Sequence, residues 1–188
     1  MISVKNVSKS FGEKVVLKDL SLDIPLGGAV CLFGESGVGK TTLIRLLLGL
    51  IQPDSGSITG VPERCSAVFQ EDRLCESFSA VRNIRVASGV SKEVALEALE
   101  RLGICREDAL GKPVRAFSGG MKRRVAIARA LLAESEFLIL DEPFKGLDRE
   151  NLLRSAEFIL EKSKGKTIVM VSHSEEEIQL INCKKIEL

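Results

Sequence analysis

The sequence predicts an α/β fold built on a mostly parallel sheet, with an antiparallel β part near the N-terminus and a helical insert in the middle. Three observations lead to this prediction. Short continuous apolar runs alternate with segments of helical periodicity, which is typical of strands covered by helices. Two early segments instead alternate apolar and polar side chains. The stretch between Phe78 and Ala133 is helical in character, and 188 residues suffice for one such domain.

The first third of the chain contains most of the predicted strands. "ISVKNVSKSF" and "LKDLSLDIPLG" have the alternation of half-exposed antiparallel strands. "GAVCLF" is a continuous apolar run, which predicts a buried strand, and "TTLIRLLLGLI" predicts a buried helix after it. "QPDSGS" predicts a turn, and "CSAVF" predicts a second buried strand.

The remaining elements define the boundaries of the insert. "SKEVALEALERLGI" is a helix with Ser91 as its N-cap candidate and Gly103 at its end, and "MKRRVAIARALLA" is another helix. "EFLIL" and "KTIVMV" are strands separated by the amphipathic "ENLLRSAEFILEKSKG", and "CKKIEL" is a final strand. We expect a single domain, 1–188, in which 1–70 and 134–188 form the core with its antiparallel part, and 71–133 form the helical insert.

Composition narrows the possible partners and location. Lys and Arg number 27 and Asp and Glu 26, so the net charge of +1 gives no reason to expect nucleic acid as a partner. The five cysteines show no metal-ligand spacing and are typical of free thiols in a reducing cytosol. The N-terminus lacks a signal peptide, and the longest apolar stretch, "LIRLLLGLI", is shorter than the roughly 20 residues that span a bilayer. We therefore expect a soluble, cytoplasmic protein.

The segment "GESGVGKT" matches the pattern G-x-x-x-x-G-K-[ST] between a predicted strand and a predicted helix. Glycines allow the backbone to turn its N–H groups toward phosphate oxygens, Lys40 reaches the β- and γ-phosphates, and the Thr41 hydroxyl coordinates Mg²⁺. This motif predicts a P-loop NTPase core that binds ATP and Mg²⁺. The candidate binding residues are Gly34, Glu35, Ser36, Gly37, Val38, Gly39, Lys40, Thr41 and Thr42.

Polar residues follow three predicted strands. "EFLILDEP" places Asp141 and Glu142 at the carboxyl end of a strand, where open α/β sheets bind ligands. Asp141 is predicted to be a partner of the Mg²⁺, and Glu142 is predicted to act as general base toward the attacking water. Gln70 follows "CSAVF" and is a candidate to ligate Mg²⁺ and hold a water. His173, the one histidine, follows "TIVMVS" and is predicted to donate to the γ-phosphate and help hold the attacking water.

The segment "FSGGMKRR" places flexible residues 118–120 directly before a helix. Bare backbone amides and the positive helix end favour an anion there. A plain serine N-cap is the local alternative, and Ser118 can serve both purposes. Lys122, Arg123 and Arg124 are expected to be solvated or ion-paired and not to be ligands.

Taken together and in this order, these motifs resemble the ATP-binding subunits of ABC transporters across nearly the whole chain. In that family Asp148, in "GLD", lies in the D-loop and contacts nucleotide, and Phe11, in "KSFG", matches the aromatic that stacks on adenine. The motifs correspond to the Walker A loop (34–42), the Q-loop (Gln70), the signature (117–121), Walker B (137–142), the D-loop (146–148) and the switch histidine (His173).

The resemblance implies a mechanism and partners. Two subunits, either a homodimer or a pair with a similar subunit, close head to tail on ATP, and residues 118–120 of each cap the γ-phosphate held by the other. The family also implies transmembrane permease subunits, an extracytoplasmic substrate-binding protein, and a peripheral position on the inner face of the cell membrane. "VFQEDRL", "DEPF" and Met121 resemble the nitrate, sulfonate and taurine importer branch, whereas Phe117 and Lys145 stand where Leu and a small residue are usual.

Two other functional classes remain to be weighed. A non-transport ABC ATPase of the repair or ribosomal kind would need long coiled coils or a second ATPase domain, and neither is in the sequence; a membrane-associated cell-division regulator stays open. A P-loop kinase or nucleotide switch would leave residues 118–120 and His173 without a role. We therefore expect an ATP-hydrolysing subunit that powers an importer through ATP-driven dimerisation. Its contact with the permease is expected near 71–83, where acidic and apolar residues mix.

Overall fold

The computed structural model describes all 188 residues and contains two sheets. The eight strands are β1 (Ile2–Phe11), β2 (Lys14–Ile24), β3 (Ala29–Phe33), β4 (Ser55–Thr59), β5 (Cys65–Val68), β6 (Phe137–Asp141), β7 (Thr167–Val171) and β8 (Lys184–Glu187). An antiparallel sheet has the order β2-β1-β4, and a parallel sheet has the order β5-β6-β7-β3-β8. These sheets confirm the predicted α/β fold with its antiparallel N-terminal part.

Seven α-helices connect the strands. They are α1 (Lys40–Leu47), α2 (Ala80–Ser88), α3 (Lys92–Arg101), α4 (Arg106–Gly111), α5 (Gly119–Leu132), α6 (Arg149–Lys162) and α7 (Glu175–Leu180), and a short 3₁₀ turn spans Val114–Ala116. Helices α2 to α5 all lie between β5 and β6 in the chain. No helix combines the length and the apolar character that crossing a membrane requires.

Side-chain caps fix where several helices begin. The Ser91 hydroxyl accepts a hydrogen bond from the Val94 amide at the start of α3, as predicted, and Ser118 does the same for Met121 at the start of α5. Such a cap satisfies one of the amides that a helix end leaves without a partner. Helices α2, α4 and α7 were not individually predicted. Helices α4 and α7 are only six residues long, and α2 lies in the stretch that was predicted only as helical in character.

The parallel sheet separates two hydrophobic clusters. Leu138 and Leu140 of β6 point into a cluster of 30 buried residues that includes helices α2 to α6. Phe137 and Ile139 point the other way, into a cluster of 15 residues with α1 and the antiparallel sheet. Successive side chains of a strand face opposite sides, so a strand covered on both faces must be apolar at every position. This explains the continuous apolar runs of the sequence.

Three local predictions were wrong. β5 was predicted to be buried, but Cys65 is exposed and only Val68 is buried, because β5 is an edge strand of the parallel sheet. The turn predicted over "QPDSGS" ends in β4, whose residues are mostly exposed and give no alternation, and which is held by pairing with β1. Helix α1 ends at Leu47, before the predicted end, and Gly49 then has a φ of 67°.

Candidate functional site

The carboxyl edge of the parallel sheet carries a cavity of about 260 Å³, which we call the P-loop cavity. Strands of a parallel sheet end at the same edge, so residues distant in sequence meet there. The predicted residues that line it are Phe11, Ser36, Gly37, Gly39, Lys40, Thr41, Thr42, Gln70, Asp141, Glu142 and His173. Lys14, Val16 and Val171 also line it and were not predicted. Gly34, Glu35, Val38, Asp148 and residues 118–120 do not line this cavity.

The loop between β3 and α1 is shaped by glycines and by Lys40. Gly39 has a φ of 112°, which other residues rarely adopt, and a Cβ built there would lie 2.5 Å from the Leu17 Cδ2 atom, so a substitution would strain the backbone and displace Leu17. Gly39 is also the N-cap of α1 and offers no side-chain hydrogen bond, so the amides at this helix start face the cavity without a side-chain cap. The Lys40 Nζ atom donates to the carbonyl oxygens of Gly34 at 2.7 Å and Glu35 at 2.8 Å.

Asp141 and Glu142 differ in environment although they are adjacent. The Asp141 side chain is buried, and this burial, together with the charge of Glu142, raises the pKa of its carboxyl group. Glu142 has a φ of 48°, an uncommon left-handed conformation, and its amide donates to the Val171 oxygen at 3.0 Å. One carboxylate oxygen of Glu142 lies 2.9 Å from Lys145 Nζ, and the other lies 3.6 Å from His173 Nε2. This turn brings the three side chains together.

The P-loop cavity offers a set of oxygen donors. The side chains of Thr41, Gln70 and Asp141 all line it. Hydroxyl, amide and carboxylate oxygens suit a hard cation such as Mg²⁺, which needs few protein ligands when a substrate phosphate supplies others. No group of three or more His, Cys, Asp or Glu side chains could hold a metal ion by itself. A cation beside Asp141 would offset the cost of its buried charge.

A second cavity of about 480 Å³, the signature cavity, lies beside residues 118–120 and shares no lining residue with the first. Gly120 approaches the D-loop closely, because a Cβ there would lie 3.2 Å from the Gly146 carbonyl oxygen. Asp148 caps α6 by accepting a hydrogen bond from the Asn151 backbone amide at 2.9 Å, and it also accepts from the Asn151 side-chain amide. These hydrogen bonds lower the pKa of the Asp148 carboxyl group. The lining residues are Asp72, Ser118, Gly119, Gly120, Arg123, Arg124, Lys145, Gly146, Leu147, Asp148 and Asn151.

Two of the three cations after the signature are buried, with exposures of 4% for Arg123 and 7% for Arg124. Arg123 donates to the carbonyl oxygens of Phe69 at 2.6 Å and Gln70 at 2.5 Å, and its Nε lies 3.2 Å from Asp72 Oδ1. Arg124 donates to the Leu102 oxygen at 2.6 Å. The expectation of solvated or ion-paired cations was therefore wrong for Arg124, which is neither.

Two packing contacts of α5 explain the burial: Arg124 lies against the end of α3, and Arg123 lies against the segment that follows β5. Arg129, one further arginine of the same helix, donates to the carbonyl oxygens of Arg73 at 2.7 Å and Asp72 at 2.9 Å. Arginines 123 and 129 thus bind four carbonyl oxygens of the segment 69–73, which contains Gln70. Sequence reasoning missed this role because nothing in the helix pattern indicates which backbone lies beside it.

The sequence of this chain is similar to those of known transport proteins. Residues 17–145 match the pattern of the family described as ABC transporter. The chain belongs to the ABC transporter family. It is 38% identical to the aliphatic sulfonates import ATP-binding protein SsuB 1 of Paracoccus denitrificans (strain Pd 1222), over 96% of this chain and 76% of that protein. It is 35% identical to the lantibiotic transport ATP-binding protein SrtF of Streptococcus pyogenes, over 95% of this chain and 82% of that one.

Solved structures of ABC cassettes have the same fold. The dimeric structure of a bacterial ABC transporter cassette superposes with a TM-score of 0.83 at 27% identity, covering 96% of this ABC subunit and 91% of that chain. A post-hydrolysis state of that cassette, bound to ADP and Pi, gives a TM-score of 0.82. The predicted ABC ATPase subunit is confirmed: this chain binds nucleotide and hydrolyses ATP.

Proposed function

We propose that this ABC subunit powers a transmembrane permease of the importer type by ATP-driven closure of a head-to-tail dimer. The observation that carries the proposal is the separation of the P-loop and signature cavities, which share no residue. Residues 118–120 therefore line no part of their own chain's P-loop cavity, and a second chain gives them a nucleotide to cap. The dimeric form of the similar cassette supports this arrangement. In this proposal 71–133 form the helical signature part, and 1–70 with 134–188 form the ATP-binding core.

The predicted residues of the P-loop cavity take specific roles in the proposal. Residues 34–42 bind the phosphates through backbone amides, and Lys40 exchanges its two carbonyl contacts for phosphate oxygens. Phe11, about half exposed at the cavity, packs against adenine. Thr41, Gln70 and Asp141 would hold Mg²⁺, which offsets phosphate charge when bound.

Two further residues act on the water that attacks the γ-phosphate. Glu142 takes its proton, and His173 donates a hydrogen bond that keeps the reacting groups in place. The 3.6 Å between His173 Nε2 and Glu142 Oε1 places both side chains at one end of the cavity.

In this proposal the signature residues and Asp148 contact the nucleotide that is bound by the partner subunit. The Ser118 oxygen accepts from the Met121 amide at 3.2 Å, so its own hydrogen remains free to donate to a phosphate. Gly119 has open space around its Cβ position, which permits close approach of another molecule. The two alternatives for Ser118, helix cap and phosphate donor, are thus compatible.

The direction of transport is inferred from similarity and sequence motifs. Relatives include a sulfonate importer subunit and a lantibiotic transport subunit, so both are transport proteins and the cell-division alternative is not favoured. The resemblance of "VFQEDRL", "DEPF" and Met121 to the importer branch supports import as the direction. We propose a position at the inner face of the membrane, with an extracytoplasmic substrate-binding protein as a further component of the system.

A groove of about 460 Å³ beside α2 is the proposed docking site for the permease. Three of its seven lining residues lie within the expected surface near 71–83. The groove is basic and apolar, whereas an acidic and apolar mixture was expected. Its lining combines apolar side chains with two arginines and a lysine, which suits an amphipathic segment with acidic residues. The lining residues are Ser79, Val81, Arg82, Arg85, Val86, Lys92 and Leu110.

Affinity purification from detergent-solubilised membranes of the source cells tests this function. We expect the tagged subunit to retain a protein with several membrane-spanning helices. Val86→Asp should lose it, because Val86 is 70% exposed in the groove and a carboxylate there would repel an acidic segment. Leu160→Asp, an exposed position on α6, is the control and should retain it. Recovery of soluble partners alone, or equal recovery with both variants, would argue against the permease or its proposed docking site.

We expect His173→Ala to reduce ATP turnover at least about hundredfold while ATP affinity changes by less than about threefold. The side chain is half exposed, so its loss should not affect folding. His173→Gln, which keeps a donor, should recover part of the rate. Steady-state turnover at saturating MgATP and calorimetric binding separate the two effects. Turnover of His173→Ala within about twofold of the parent would assign the histidine a structural role.

A further inference from the structure

Lys145 is paired with the proposed general base. It lies in the turn between β6 and α6, and its Nζ is 2.9 Å from the Oε2 atom of Glu142. The Lys145 amide also donates to the Glu142 carbonyl oxygen at 3.2 Å, which closes the turn. With His173 beside the other carboxylate oxygen, both oxygens of Glu142 have a neighbour before any water arrives. Lys145 therefore restrains the group that must move to accept a proton.

The same lysine faces the other cavity. Glu142 lines the P-loop cavity, whereas Lys145 lines the signature cavity together with residues 118–120. Two other cations there, Arg123 and Arg124, are buried and hold backbone carbonyls. The Lys145 side chain is 56% exposed, so it alone among these three can change partner without leaving a buried carbonyl unpaired.

We propose that Lys145 holds Glu142 in the single subunit and releases it to bind the phosphate of the partner subunit's nucleotide. The inference rests on the proposed head-to-tail dimer. An ion pair in which the lysine is more than half exposed is weak, whereas a phosphate offers several charged oxygens and stronger, charge-assisted hydrogen bonds. ATP in one subunit would in this way free the general base of the other, and the two sites would be coupled through one side chain.

The phosphate contact is tested in a Glu142→Gln background, where the neutral amide no longer competes for Lys145. Adding Lys145→Met should weaken the ATP-bound dimer about tenfold, measured as a dissociation constant by analytical ultracentrifugation. Lys145→Arg should keep the dimer within about twofold of the background. Lys112→Met is the matched control, since Lys112 is equally exposed at 58% and pairs with Asp108 at 2.5 Å on a distant helix.

The restraint is tested with Glu142 present. In protein diluted until parent and variant are both monomeric, Lys145→Met should raise the residual turnover by up to about fivefold, the range that a weak ion pair allows, whereas Lys112→Met should leave it unchanged. Equal residual turnover of Lys145→Met and the parent would overturn the restraint. A dimer that forms in Glu142→Gln and is unaffected by Lys145→Met would overturn this inference and leave the proposed function standing. A Glu142→Gln protein that binds ATP yet stays monomeric would overturn both.

Discussion

Lys40→Ala is expected to weaken MgATP binding about hundredfold or more while the fold is retained. In the free protein the Lys40 ammonium is 7% exposed and is held by two neutral carbonyls, which do not neutralise its charge. Each charge-assisted hydrogen bond that it makes to phosphate contributes about 1.5–3 kcal/mol, and alanine removes them all. Isothermal titration calorimetry with MgATP measures the loss.

Lys18→Ala is the control for this substitution, because Lys18 is exposed on β2 and lies outside the P-loop cavity. Its affinity should match that of the parent. Thermal unfolding of both variants separates binding from folding, and each melting temperature should stay close to that of the parent. Micromolar binding retained by a folded Lys40→Ala protein would be incompatible with the assignment of residues 34–42 to the phosphates.

Glu142→Gln with ATP should form a stable homodimer, and adding Gly119→Asp should abolish it. Glutamine keeps the shape of the side chain but cannot accept the proton from water, so ATP persists between the subunits. An aspartate at position 119 would place a negative charge beside the partner's γ-phosphate. Sedimentation velocity at several protein concentrations, with and without ATP, distinguishes monomer from dimer.

Gly119 suits this test because its surroundings are open. A Cβ at this position meets no atom within 4 Å, so neither alanine nor aspartate is excluded sterically. An acidic residue in the first turn of α5 is also favourable to the helix itself. Glu142→Gln with Gly119→Ala is the matched control and should still dimerise. If it fails to do so while Gly119→Asp dimerises, charge at the signature is not what decides assembly.

The local features of this ABC subunit could be predicted from its sequence. Gly39, Lys40 and the helix after them lie within one short segment, so their pattern predicts the loop and its ligand. Ser91 and Ser118 act on amides three residues away, and such caps are readable from adjacent letters. The continuous apolar run before Asp141 indicates a strand covered on both faces, which it is. Each of these features depends on interactions between near neighbours in the chain.

Which surfaces meet could not be predicted from the sequence and follows from the packing of the elements. Cys65 is exposed because no strand covers the outer edge of β5, and a run of apolar letters cannot indicate that position in the sheet. Arg123 and Arg124 are buried because α5 packs on backbone from distant segments, and those carbonyls carry no sequence signal. Likewise, the separation of the P-loop and signature cavities follows from packing alone, since hydrogen bonds and burial across long chain separations depend on how the elements are arranged in space.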